Sequence, residues 1–143
     1  MRCVTVSCVV LLLYTASRAD DAKSIQGKWS VENLEHDTEK LDDLAKVLKF
    51  AIDKDHLILA GSEVILKDYA KIRYKIDSTV TPTIIDLTVT EGDQKDTTME
   101  GIYELKGDTL KLCIKVVGKE RPSKFETSEN SNTALIVLKR EKP

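Results

Sequence analysis

The chain predicts an all-β fold, an antiparallel up-and-down β-barrel of about eight strands with one short helix after the first strand. Three observations predict it. Thr98 to Leu105 and Thr109 to Val116 are alternating segments joined by Lys106-Gly107-Asp108, which reads as a long β-hairpin. Its apolar residues, Met99, Tyr103 and Leu105 on one arm and Leu110, Leu112, Ile114 and Val116 on the other, form a face that must be buried, because a hairpin alone is marginal in water. Short strand-like runs separated by turn signals recur along the rest of the chain, as in an antiparallel barrel or sandwich. Finally, Trp29 near the start shares its parity with Val31, and Arg140 near the end shares its parity with Ile136 and Leu138. If the first and last strands are neighbours, the guanidinium lies over the indole and the sheet closes.

The elements follow in order. Arg2, the apolar run Val4 to Tyr14 and the small-x-small pattern Ser17-Arg18-Ala19 predict a signal peptide over residues 1–19, cleaved after Ala19. The apolar run spans 11 residues, against the ~20 a membrane helix needs. The expected product is a secreted, extracellular domain, residues 20–143. Its net charge is −4, because loss of Arg2 and Arg18 lowers the basic count from 22 to 20 against 24 acidic residues. No basic stripe is left for phosphates, which argues against nucleic acid. Cys3 and Cys8 go with the signal, so an intramolecular disulfide is impossible.

Ile25 to Leu34 is the first predicted strand. Thr38 to Leu48 carries Leu41, Leu44, Ala45, Val47 and Leu48 at helical spacing, with Asp37 or Thr38 to cap it, and predicts a helix laid on the core. Its charges are mixed in sign, which favours that role over membrane binding. Leu48 to Ile52 and His56 to Ala60 flank the turn Asp53-Lys54-Asp55, and Gly61-Ser62 leads into a further run, Glu63 to Lys67, read as strand. Lys71 to Asp77 alternates most cleanly, a Thr/Pro loop around Pro82 precedes Ile84 to Thr90, and Glu91 to Asp96 turns into the long hairpin. Gly118 to Asn132 is irregular, and Ala134 to Arg140 is the final strand.

The opening Gly27-Lys28-Trp29 with the closing Arg140 is similar to the arrangement in lipocalins. A sharper resemblance lies in Gly101-Ile102-Tyr103-Glu104-Leu105, Gly107-Asp108-Thr109-Leu110-Lys111, Cys113 and Gly118-Lys119-Glu120-Arg121-Pro122. With Ile25 to Trp29, Ile85-Asp86-Leu87 and Leu138-Lys139-Arg140-Glu141, these residues resemble a family of secreted lipocalin-like domains abundant in planctomycete bacteria. The resemblance spans nearly the whole exported chain and implies the fold, but assigns no substrate and no catalytic residue. In its Gly-Lys-Glu-Arg-Pro signature, Gly118 permits a turn, Pro122 ends strand pairing and Arg121 is read as a loop staple rather than an anion site.

Chemistry is sparse. The two histidines, His36 and His56, sit in no nucleophile motif, and the acidic pairs lack calcium-loop spacing, so neither an enzyme nor a metal or other cofactor is expected. Cys113 falls on the face of Lys111 and Lys115, where it is either a small half-buried strand residue or a thiol able to link two chains. The protein is thus expected as a monomer or a Cys113-linked dimer. Two functions remain. One is a carrier of a small hydrophobic molecule, with a cavity opposite Trp29 and Arg140, rimmed by the predicted helix and lined by Phe50 and Met99, with Tyr74 or Tyr103 as polar anchor. The other is an extracellular interaction or matrix component with a packed interior and functional loops such as Gly118 to Asn132.

Overall fold

A computed structural model describes residues 23–142; the expected signal segment, residues 1–19, lies outside them. The elements in chain order are β1 (Gly27–His36), β2 (Glu39–Lys40), helix α1 (Asp42–Val47), β3 (Lys49–Asp53), β4 (His56–Ala60), helix α2 (Glu63–Asp68), β5 (Lys71–Asp77), β6 (Ile84–Glu91), β7 (Thr98–Lys106), β8 (Thr109–Lys115) and β9 (Thr133–Arg140). Every pairing is antiparallel, β3 to β9 follow one another in sheet order, and β1 pairs with both β3 and β9. Eight strands therefore close a lipocalin-like barrel, with the two-residue β2 appended to the end of β1.

Closure comes where the sequence places it. Trp29 faces Arg140 in register across β1 and β9, and the guanidinium carbon stands 4.3 Å from the indole centroid. Trp29 is 0% exposed, and its Nε1–H donates to the Ile25 carbonyl at 2.9 Å. Arg140 also donates to the carbonyls of Gln26, at 2.7 Å, and Ser24, and its Nε lies 3.3 Å from Asp108 Oδ1. One arginine thus covers the indole and ties the chain before β1 to the β7–β8 turn. This end is packed solid by Leu110, Leu112 and Leu138, all buried.

Alternation decides the rest of the core. Residues 72, 74, 85, 87, 89, 99, 103, 112, 114, 136 and 138 are buried, while charged neighbours such as Arg73, Lys75 and Lys111 point out. The turns agree with their chemistry: Gly107 (φ +55°) opens the two-residue connection between Lys106 and Thr109, and Lys54 (φ +55°) that between Asp53 and His56.

Two elements differ from expectation. The predicted helix over Thr38 to Leu48 is shortened to Asp42–Val47, because Asp37 (φ +49°) and Thr38 (φ +73°) instead make a hairpin turn that pairs Glu35 with Lys40 and His36 with Glu39. The run Glu63 to Lys67, expected as strand, is helix α2, started by the Ser62 hydroxyl accepting the Ile65 N–H. The three apolar residues Val64, Ile65 and Leu66 in a row carry no period to tell strand from helix, and Val64 is 77% exposed.

Residues 118–132 form a strap across the outside of the barrel. Gly118 turns at φ +107°, and Arg121 then donates to the carbonyls of Gly101 (2.7 Å) and Ile85 (3.1 Å) and pairs with Asp86 at 2.7 Å. The staple role expected for Arg121 is what the geometry displays. Beneath the strap, the outward-facing Ile102 and Cys113 are buried, apart from the interior core. The thiol hydrogen of Cys113 points to the Glu126 carbonyl at 3.6 Å. Of the two readings open for Cys113, the buried strand residue is the one seen and the solvent-facing thiol is not: the cysteine lies under the strap with 0% exposure, Lys115 Nζ donates to the Ser131 carbonyl of the strap, and Lys111 Nζ stands 5.7 Å from the Phe125 ring centroid.

Candidate ligand cavity

The strand directions put β1 His36, β3 Lys49, β4 Ala60, β5 Lys71, β6 Glu91, β7 Thr98, β8 Lys115 and β9 Thr133 at one end, opposite Trp29 and Arg140. Both helices stand at this end. Here the interior does not fill. A cavity of about 200 Å³ runs down from the mouth, with Phe50, Ile72, Leu87, Met99, Ile114 and Ile136 among the strand residues around it. It lies between side chains that the pleat turns inward, so its position follows from strand parity and from mostly aliphatic side chains that do not meet across this half. The other half holds Trp29, Tyr74 and Tyr103 and closes.

The helices form the rim. Leu41, Leu44 and Leu48 reach in from α1 and its flanks, and Ile65 and Tyr69 from α2 and its C-terminal end. Two glycines seat them. A Cβ on Gly61 (φ +98°) would lie 1.7 Å from the Val47 carbonyl oxygen, so only glycine lets the chain cross the end of α1 before starting α2. Gly92 (φ +125°) likewise lets the β6–β7 turn press on the end of α2, where a Cβ would come 2.3 Å from the Asp68 oxygen. That contact carries two hydrogen bonds, Asp93 N–H to Lys67 O at 2.8 Å and Gln94 N–H to Asp68 O at 3.1 Å.

On the opposite rim, Asp37 ties the β1–β2 turn to the start of β9. Its Oδ1 accepts from the Ser131 hydroxyl and the Thr133 N–H, both at 3.1 Å. Burial pulls its pKa upward, but these hydrogen bonds and neighbouring His36 outweigh that and hold the carboxyl below its ordinary range. Thr127 extends the tie, accepting the Thr38 N–H at 3.0 Å and donating to the Glu35 carboxylate.

Of the residues predicted to line a site, Phe50 and Met99 do. Tyr74 and Tyr103 do not, and the expectation of a polar anchor there is corrected. The Tyr74 hydroxyl donates to the Lys54 carbonyl at the closed end, and burial, with Asp55 and Asp53 nearby, pushes its pKa up. Tyr103 packs in the same half, its N–H bonded to the Thr83 carbonyl at 3.0 Å. Sequence reasoning missed Tyr69 and His36, the two wall residues that carry polar atoms. Tyr69 was hidden because α2 was read as strand, and burial and Asp68 raise its pKa. His36 contributes at the mouth with its Nδ1 3.9 Å from the Asp37 carboxylate. Neither turns a polar atom to the cavity, whose wall is apolar throughout.

No protein-family model, curated protein or solved structure matches this chain.

Proposed function

We propose that the protein is an exported carrier that holds a small apolar molecule in the open half of its barrel. The observation that carries the reading is the cavity itself: an apolar space of about 200 Å³ at the end opposite Trp29 and Arg140, flanked by α1 and α2. The apolar side chains around this space, open at the mouth, do not fill it, and a ligand seated there takes their surface out of water. An apolar cavity of ~150 Å³ is enough for a benzene ring, so this one suits a hydrocarbon body somewhat larger.

Export rests on the N-terminal pattern Arg2, Val4 to Tyr14 and Ser17-Arg18-Ala19. The interaction or matrix reading expects a packed interior, and the open half gives it no support. The test is native mass spectrometry of the protein from its natural source. An added mass of a small organic molecule, lost on denaturation and on Ala134→Phe substitution, is the expected result. Ala134 lines the cavity, and a phenyl group placed there occupies it. A bare protein that also fails to take up hydrocarbon added in solution would defeat the carrier reading.

A further inference from the structure

The cavity has a blind floor and an apolar wall, and these two features limit what it admits more sharply than hydrophobicity alone. Backbone groups are consumed by the ladders that close the barrel. The candidate polar side chains are turned elsewhere: Tyr74 to the Lys54 carbonyl, His36 Nδ1 toward Asp37, and Tyr69 with only its ring in the wall. Below the floor the barrel is filled by Trp29, Leu110, Leu112 and Leu138 and lidded by Arg140. A polar atom carried to the bottom would find neither a partner nor water.

We infer that the ligand is single-ended: a compact hydrocarbon body, cyclic or branched, carrying at most one polar group, which stays at the mouth. This deepens the carrier reading and rests on it. Polar groups at both ends of a ligand are incompatible with the site, because one of them must be buried unpaired.

Isothermal titration calorimetry on the secreted protein tests this with three ligands of matched size: propylbenzene, 4-ethylphenol and 4-(hydroxymethyl)phenol. Propylbenzene is expected to bind tightest, 4-ethylphenol within about tenfold of it, and the two-ended 4-(hydroxymethyl)phenol more than about a hundredfold weaker. Ala134→Phe should abolish binding of all of them. If 4-(hydroxymethyl)phenol binds as well as 4-ethylphenol, single-endedness is overturned while the carrier reading stands. If propylbenzene itself fails to bind, the carrier reading falls and this inference falls with it.

Discussion

At the residue scale, single side chains decide the arrangement through hydrogen-bond accounting. Arg121 satisfies two strand carbonyls and a carboxylate from one guanidinium, and hydrogen bonds to charged groups contribute about 1.5–3 kcal/mol each at most. Arg121→Ala is expected to destabilise the fold by about 2 kcal/mol, read from the urea midpoint, and to loosen the strap over Cys113. Burial pushes the Cys113 thiol pKa up, so the native thiol should react with an aromatic disulfide reagent at least about a hundredfold more slowly than in urea, and faster in Arg121→Ala than in wild type. Equal rates in native and unfolded protein would contradict the buried placement. Asp37 supplies a pH signature. Its carboxyl is depressed in the fold, so its stabilising increment is present above the unfolded value near 3.8 and is lost as pH falls through the folded value. The stability difference between wild type and Asp37→Asn should therefore shrink below about pH 4. A difference that grows on acidification would overturn this. The staple was legible in the sequence because an arginine between a turn glycine and a proline has few other uses. The thiol's burial was legible only as one of two readings, because parity places a residue on a face but does not show what crosses over that face.

At the scale of elements, the strands were legible and the helices less so. Alternation in β5 and the β7–β8 hairpin is locally complete, and each strand's register needs only its own pattern. Helix α2 is different. Val64-Ile65-Leu66 has no period to read, and the helix is held by a serine cap, a crossing at Gly61 and a turn pressed on by Gly92. The cap is local, but the contacts of Gly61 with Val47 and of Gly92 with Asp68 join positions far apart in sequence. The β1–β2 turn escaped for a related reason: Asp37-Thr38 lacks the glycine that two positive-φ positions usually recruit, and ties to Thr127, Ser131 and Thr133 hold it instead. Gly61→Ala tests the seating of both helices. With a Cβ 1.7 Å from the Val47 oxygen, and a backbone at φ +98°, the variant is expected to lose at least about 2 kcal/mol of stability and to bind hydrocarbon more weakly. Unchanged melting and binding would show that the rim does not depend on this crossing.

At the scale of the whole molecule, the barrel is divided between a packed end and an open end, and function is assigned to the difference. Closure by Trp29 and Arg140 was readable because both residues announce themselves by chemistry and position. The cavity was readable only as a possibility, since a list of inward aliphatic residues does not say whether they meet. What leaves it open is that the side chains around it, mostly aliphatic with Phe50 and the ring of Tyr69, do not meet, whereas Trp29, Tyr74 and Tyr103 help to fill the other half. A ligand that binds only the folded barrel must stabilise it, by about 2.7 kcal/mol at a hundredfold excess over its dissociation constant. Saturating propylbenzene should accordingly raise the melting temperature of wild type by several degrees and leave Ala134→Phe unmoved. The most direct single measurement is calorimetric titration of propylbenzene into wild type and Ala134→Phe side by side. Saturable one-to-one binding to wild type and none to a folded Ala134→Phe protein is the expected result. Absence of binding to wild type, or equal binding to both, would contradict a carrier built on this cavity.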